Sequence, residues 1–177
     1  SSTHFLGAAI RSMEGELLFG GMSGITRFFP DKIVKNDYKP NVVLTEFMIE
    51  NRPVRFGVEG SPLKQSITGT TGITLKHNQN YISFRYAGLN FINPENNQYA
   101  YKFKGISGHQ DWSYVGNQRV ASFTNLEPGE YIFMVKASNN DGVWNNRPTE
   151  IKITVLPPLW KTWWAYLIYF LLSASIL

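Results

Sequence analysis

The sequence predicts an all-β protein: a β-sandwich preceded by a partial propeller blade and followed by the start of a transmembrane helix. Aromatic residues make up 15% of the chain, which favours pleated strands over helices. Short segments of alternating apolar and polar residues recur between turns rich in Gly, Asn and Pro. The last segment is apolar without any alternation. A chain of 177 residues has room for one domain and a fragment of another.

Residues 1–30 carry three short alternating segments joined by tight turns at Gly15 and at residues 21–24. Three strands of this length form a meander that is too small to be stable alone. Its usual setting is one blade of a propeller, so we predict that residues 1–30 are the partial last blade of such a domain. Residues 31–41 are mostly polar and contain Pro40, and they are predicted to be a linker.

Residues 42–157 are predicted to form the sandwich, because short strands separated by turns at this spacing are typical of that fold. We expect residues 120–124 and 131–137 to pair with each other across the turn formed by Glu127, Pro128 and Gly129. The predicted strands cover residues 42–49, 73–76, 81–86, 99–103, 120–124, 131–137 and 150–155.

One strand of the predicted sandwich carries a regular aromatic pattern. Tyr99, Tyr101 and Phe103 alternate strictly with other residues. Successive side chains of a strand point to opposite faces, so these three rings should lie on the same side. We therefore expect them to fill part of the core between the two sheets.

A second pattern predicts a tyrosine corner. Pro128 and Gly129 form a tight turn shortly before Tyr131, which is similar to the corner of Greek-key sandwiches. In that corner the phenol hydroxyl donates to the backbone upstream, so Tyr131 is predicted to have a structural role. Trp112 and Trp144 each follow a strand or turn and are expected to serve mainly in packing.

The C-terminal residues 158–177 are predicted to begin a transmembrane helix. Thr162–Leu177 carries no charged residue and no polar stripe, and a helix of that length covers roughly 24 Å of a bilayer core of about 30 Å. We therefore expect a truncated transmembrane helix rather than a complete helix docked on the sandwich. The aromatic residues at its start, with one lysine, are typical of a membrane interface. These residues are Trp160, Lys161, Trp163, Trp164 and Tyr166.

Composition and spacing argue against catalysis and against nucleic-acid binding. The chain has no cysteine, which excludes disulfides, Cys-ligated zinc and thiol catalysis. The net charge of +4 comes from scattered basic residues, whereas nucleic-acid binders gather theirs into a stripe. His4, His77 and His109 lack ligand-spaced partners, so we expect no metal site. Glu46 and Glu50 are expected to share the solvated face of one strand rather than to form a catalytic pair. No cofactor is expected.

The sequence resembles the Y_Y_Y (three-tyrosine) domain over most of its length and in the order expected for that family. Residues 10–30 look like the regulator-propeller repeat that precedes this domain, and residues 157–164 look like the entry into its transmembrane helix. One departure is Phe123, where the family commonly has Tyr, and this change leaves the packing argument intact. The similarity of the domain itself rests on residues 81–84, 99–105, 111–112, 119–126 and 128–131 and on Trp144.

The resemblance implies an immunoglobulin-like or fibronectin-III-like sandwich in the periplasmic region of a two-component sensor histidine kinase. Such a chain would be anchored in the bacterial inner membrane, would form a homodimer in its parent receptor and would contact membrane lipid at its C-terminus. In such receptors the upstream propellers are expected to bind an oligosaccharide. The phosphoryl-transfer residues would lie beyond this chain, which begins at Ser1 without a methionine and is expected to be a non-catalytic fragment.

A second interpretation is a membrane-anchored surface module that binds carbohydrate or mediates adhesion, without any role in signalling. Its sugar-stacking residues would be Trp112, Tyr114 and Trp144, since aromatic rings near polar side chains are typical of such contacts. The two interpretations differ in whether the sandwich itself binds a ligand.

Overall fold

The computed structural model describes residues 4–22, 24–105, 111–161, 165–168 and 173. The chain forms two compact units, Ser1–Asn36 and Asp37–Leu177. The boundary therefore falls inside residues 31–41, the predicted linker, and residues 37–41 belong to the second unit. His109 lies outside the described residues.

The first unit is a three-stranded antiparallel meander, in the order β1-β2-β3. The prediction of three short strands joined by tight turns is confirmed, whereas the assignment to a propeller stays a prediction. The rings of Phe19 and Phe28 stack across β2 and β3 at 5.9 Å, and Arg27 Nε lies 3.8 Å from Glu16 Oε1. The strands are β1 (His4–Arg11), β2 (Leu17–Gly21) and β3 (Gly24–Phe28), followed by a 3-10 helix at Pro30–Lys32.

The second unit contains a two-sheet β-sandwich. One sheet has four strands in the order β10-β7-β4-β5, and the other has five in the order β6-β12-β11-β8-β9. All neighbouring strands are antiparallel except β6 and β12, which are parallel. Short 3-10 helices lie at Ile67–Gly69, Pro94–Asn96 and Leu159–Lys161. The strands are β4 (Val42–Ile49), β5 (Arg52–Pro53), β6 (Gly72–Leu75), β7 (Ile82–Gly88), β8 (Gln98–Lys104), β9 (Ser113–Gly116), β10 (Val120–Phe123), β11 (Gly129–Ser138) and β12 (Thr149–Val155).

Aromatic rings from both sheets meet across the core that lies between them. Phe133 of β11 is fully buried and stacks on Phe84 of the opposite sheet, with ring centroids 4.8 Å apart. Phe103 stacks on Phe123 at 3.9 Å, again across the two sheets. Such pairs add about 0.5–1.5 kcal/mol each beyond the burial of their area. The rings therefore bind the two layers together.

The alternating aromatic pattern of β8 is confirmed. Tyr99 and Phe103 are fully buried, and Tyr101 is half-buried against the same core. Tyr101 makes an edge-on contact with Phe123 of the other sheet at 5.8 Å. All three rings thus face the interior, as a period of two requires.

The expected pairing of residues 120–124 with 131–137 is wrong. β10 pairs with β7, whereas β11 lies in the other sheet between β8 and β12. The turn between them carries the chain across the core from one layer to the other. Phe123 and Phe133, which project from these two strands, consequently meet face to edge at 5.6 Å inside the core.

The tyrosine corner is confirmed. Tyr131 Oη donates to the carbonyl oxygen of Glu127 at 2.8 Å, which closes the crossing between the sheets. Gly105 lies close to this ring with φ of +106°, and a Cβ there would meet Tyr131 Cδ1 at 2.5 Å. The end of β8 therefore requires glycine for both its backbone conformation and its close approach to the corner.

The expectation that Glu46 and Glu50 share one strand face is wrong. Glu50 follows the end of β4 in a turn, where its φ is +51°. Glu46 remains on β4 after an irregularity in the register and lies 3.5 Å from the Arg85 guanidinium of β7. Asn51, Arg52 and Pro53 predict a turn after this strand. The turn instead begins one residue earlier, at Glu50, and Arg52–Pro53 pairs with β4 as β5.

The C-terminal segment is described only in part. A 3-10 helix covers Leu159–Lys161, and residues 165–168 are helical. Within the described ranges, no helix is both long and apolar enough to cross a bilayer. Trp163 and Trp164, predicted as membrane-interface residues, lie outside the described residues.

Replacing Tyr131 with Phe removes the corner hydrogen bond and should lower the free energy of unfolding by about 1 kcal/mol. The matched variant Tyr86→Phe removes a buried hydroxyl that has no hydrogen-bond partner within the described residues, so stability should stay the same or rise. Urea unfolding of both variants measures the difference. Equal losses in the two variants would contradict this account of the corner.

The buried Tyr86 also predicts a loss of stability at alkaline pH. Burial, followed by the nearby Tyr101 and Tyr99 phenols, raises the pKa of Tyr86 far above its usual value. In the unfolded chain this phenol ionises above about pH 10, whereas the folded chain keeps it protonated. This group should therefore lower the unfolding free energy by up to about 1.4 kcal/mol per pH unit above that point.

Urea unfolding from about pH 9 to about pH 12 checks this prediction, since the window brackets the ordinary phenol pKa. Stability should decline less steeply in Tyr86→Phe than in the unsubstituted chain. Identical slopes for the two proteins would show that burial of this phenol is not linked to the alkaline loss.

Candidate functional site: the two ends of the sandwich and an outer aromatic cluster

The segment that enters the sandwich is held by two buried asparagines. Asn139 Nδ2 donates to the carbonyl oxygen of Tyr38 at 2.8 Å. Asn145 Nδ2 donates to the carbonyl oxygen of Pro40 at 3.1 Å and to Asn41 Oδ1 at 3.0 Å. We call these five residues the entry clamp. It joins the loop before β12 to the chain more than one hundred residues upstream.

The loop positions the clamp asparagines through its own backbone. Asn139 Oδ1 accepts hydrogen bonds from the amides of Asp141 and Val143, each at 2.9 Å. The backbone amide of Asn145 donates to the carbonyl oxygen of Ala137 at 2.9 Å, which ties the loop to the end of β11. Only 1% of Asn139 and 7% of Asn145 is exposed. In each of these buried side chains both the oxygen and the nitrogen form hydrogen bonds. These bonds determine how the side-chain amide is oriented.

A second buried network adjoins the entry clamp. The Leu89 amide donates to the carbonyl oxygen of Asn41 at 2.8 Å, so the loop after β7 also holds the entering chain. Asn90 Nδ2 donates to Asn97 Oδ1 at 2.8 Å, and both residues are buried. The Gly88 amide donates to Tyr99 Oη at 3.0 Å. Tyr99 thus connects the aromatic core to this polar end of the sandwich.

The opposite end of β12 holds the segment that leaves the sandwich. β12 lies between β11 and β6, and the Leu156 amide adds one more bond to the Leu75 carbonyl at 2.9 Å. Trp160 then makes an edge-on contact with His77 at 5.2 Å between ring centroids. We call the Leu156–Leu75 bond and the Trp160–His77 pair the exit contact. It ties the departing chain to the turn after β6.

Three aromatic side chains surround one lysine on the outer face of the five-stranded sheet. Lys136 Nζ lies 4.3 Å from the Trp112 ring centroid, 5.5 Å from that of Tyr114 and 5.4 Å from that of Trp144. Tyr114 and Trp144 meet nearly at right angles, with centroids 5.3 Å apart. We call these four residues the aromatic–lysine cluster. All three rings lie within reach of a cation–π attraction.

Eight aromatic or turn residues that carry the resemblance, which we call the signature residues, lie in three places rather than in one site. Pro128 and Gly129 lie at the sheet crossing with Tyr131, and Trp112 and Trp144 lie in the aromatic–lysine cluster. The remaining signature residues, Tyr99, Tyr101 and Phe103, lie in the core. Of the predicted membrane-interface residues, the described Trp160, Lys161 and Tyr166 lie near the C-terminus, where Trp160 and Tyr166 are more than half exposed.

The sequence analysis missed the clamp asparagines. Residues 139–142 are Asn-Asn-Asp-Gly, which is typical of a turn, and an asparagine that begins a turn often accepts backbone amides through its side chain. That rule accounts for the oxygen of Asn139 but not for its nitrogen, whose acceptor at Tyr38 is remote in sequence. Only the folded chain brings the two together.

Two packed sheets joined through a tyrosine corner define the class of immunoglobulin-like and fibronectin-like sandwich domains. Residues 90–156 match the Y_Y_Y domain family. The resemblance predicted from the sequence is therefore confirmed for this part of the chain.

Three similar proteins are described as a histidine kinase or as parts of two-component and one-component systems. It is 42% identical to "Histidine kinase P4" of Formosa agariphila over 159 residues, which is 90% of this chain and 11% of that protein. It also resembles the extracellular domain described as part of a hybrid two-component system from B. thetaiotaomicron, with 26% identity and a TM-score of 0.68 over 88% of this chain and 20% of that one. A further extracellular domain from that organism, described as part of a one-component system, shares the fold at 24% identity and a TM-score of 0.61, over 85% and 20% of the two chains.

The chain thus spans about one ninth of the length of its curated relative and one fifth of the two structures. The similarity therefore concerns extracellular domains of such systems and not a whole receptor.

Removing the Asn145 side chain should open the entry clamp. Asn145→Ala deletes bonds to Pro40, Asn41 and Arg147 and should lower the free energy of unfolding by about 2 kcal/mol. It should also speed hydrogen exchange at the Leu89 amide, because that amide is bonded to Asn41. Urea unfolding and amide exchange measure the two effects.

The neighbouring Asn146 provides the control, since its side chain is exposed. Asn146→Ala should change stability by less than about 0.5 kcal/mol. If the two variants behaved alike in both measurements, the clamp would not be holding the entering chain.

Proposed function

We propose that this chain is the membrane-proximal relay of a two-component sensor histidine kinase. It would couple ligand binding in the upstream part of the receptor to a transmembrane helix that follows. The similarity to a histidine kinase and to extracellular sensor domains supports this class of protein. The observation that carries the relay is that a single strand, β12, starts four residues after Asn145 of the entry clamp and is followed directly by Leu156 of the exit contact.

β12 is suited to transmit a displacement because it is paired on both sides. Its neighbours are β11 and β6, so it cannot shift without breaking rows of backbone hydrogen bonds. Thr149, its first residue, donates through Oγ1 to the carbonyl oxygen of Val42, the first residue of β4. A pull on the entering chain would therefore reach the start of β12 through Asn145 and Thr149 together.

We further propose that the exit contact passes this displacement toward the membrane. Thr162–Leu177 would begin a transmembrane helix in the bacterial inner membrane, which places the sandwich in the periplasm. Pro157 and Pro158 limit bending between β12 and the 3-10 helix at Leu159–Lys161. Two copies of the receptor, associated as a homodimer, would convert a change in the spacing of their sandwiches into a change in their helices.

The meander β1–β3 supports a proposal for the upstream ligand domain. A propeller blade normally has four strands around a central channel, and this sheet supplies three in the same antiparallel order. We propose that it is the last blade of a propeller and that the propellers bind an oligosaccharide. The catalytic residues of the kinase would lie outside this chain.

The relay is tested by replacing residues 156–161 with a flexible Gly-Ser sequence in the full-length receptor. This replacement removes the Trp160–His77 pair and both prolines, and it leaves the Leu156–Leu75 bond, which is made by backbone atoms, without a side chain to fix it in place, while the entry clamp is untouched. Autophosphorylation in membrane vesicles should change at least about threefold in the basal state or lose its response to a panel of neutral and acidic oligosaccharides. A Gly-Ser replacement of residues 55–60, an exposed loop segment of the same length, is the control.

Kinase output that is unchanged in both the basal and the stimulated state would overturn the relay. So would equal changes in the exit replacement and the loop replacement, because they would indicate general damage to the sandwich.

A further inference from the structure

The aromatic–lysine cluster places three rings around one ammonium group on the outer face of the sandwich. Lys136 is half-buried, yet its ammonium faces three rings rather than bulk water alone. Tyr114 remains 65% exposed, so one ring of the cluster is open to an incoming molecule. An ammonium that is partly surrounded by rings has fewer water contacts to lose when it meets an anion.

The sheet beneath the cluster is shaped to hold it. Ala100 points to the outer face, between Lys136 of β11 and Tyr114 of β9 in the register of the strands. It is fully buried although it faces outward, because the larger side chains beside it cover its methyl group. A small residue at this position lets Tyr114 and Lys136 approach each other across the strand between them.

The charge around the cluster is predominantly positive. Lys102, Lys104 and Lys152 share the outer face with Lys136, as their register positions show. In the part of the chain that the structure describes, no carboxylate oxygen lies within 4.0 Å of any of these four ammonium groups. The acidic residues on the same face are Glu130 and Glu150. The face therefore attracts anions rather than cations.

We propose that the aromatic–lysine cluster binds a carboxylate-bearing saccharide, that is, one containing uronic acid units. The perpendicular rings of Tyr114 and Trp144 form a corner in which a pyranose can stack on one ring and touch the edge of the other. Lys136 lies at this corner, where its ammonium can pair with the sugar carboxylate. Rings and charge together favour an acidic sugar over a neutral one.

The site goes beyond the relay, because it places a ligand on the sandwich itself. Trp144 immediately precedes Asn145 of the entry clamp, so the two share one loop. Binding nevertheless requires neither a membrane nor a kinase, and the purified chain is sufficient to measure it. A failure of binding would leave the relay experiment unaffected.

Calorimetric titration of the 177-residue chain with tetragalacturonate tests the proposal. We expect saturable binding that weakens about tenfold or more in Lys136→Gln and in Tyr114→Ala. Lys152→Gln is the matched control: it removes one charge from the same face but away from the rings, so it should weaken binding by less than about twofold. Circular dichroism confirms that each variant remains folded. Neutral cellotetraose should bind much more weakly than tetragalacturonate.

Several results would overturn the site. These are an absence of binding to the unsubstituted chain, equal weakening by Lys152→Gln, or equal affinity for cellotetraose. Binding of poly-L-glutamate that matches tetragalacturonate and survives Tyr114→Ala would also exclude a saccharide site, because stacking would then contribute nothing.

Discussion

The stacking of Phe133 between the two sheets is the contact on which the sandwich depends. Its ring contacts Phe84 and Tyr86 of one sheet and Tyr101 and Phe103 of its own. Both layers must therefore present their inward faces in one register, since a slip of a single residue would turn these rings to solvent. The crossing at Tyr131 and the glycine beside it follow from the same requirement, because they bring β11 over the other sheet at the correct position.

With the core held in this way, the polar groups concentrate at the end where the chain enters. Buried asparagines are costly unless every polar atom has a partner, and here both clamp asparagines satisfy that condition through backbone groups. A fully satisfied network tolerates little change in geometry. The entering chain and the loop before β12 are consequently fixed relative to each other, which is what a mechanical relay needs.

The outer face of the five-stranded sheet carries the side chains that do not contribute to the core. Strand alternation directs core residues inward and leaves every second residue free for other uses. At Ala100, Tyr114 and Lys136 these outward residues combine into a defined surface rather than a scattered set of charges. The same backbone thus supports a buried interior and an exterior on which rings and a lysine are held close together.

The sequence by itself determined most of the strands, the inward pattern of Tyr99 and Phe103 and the tyrosine corner, because alternation and turn chemistry are local. The short strands β5 and β9 were not predicted. The sequence also indicated the Y_Y_Y domain, whose match covers residues 90–156. The pairing of β10 with β7 and the partners of Asn139 and Asn145 were decided only by the tertiary structure. Each of these depends on groups far apart in the chain, and no local preference specifies which distant strand or carbonyl a residue will meet.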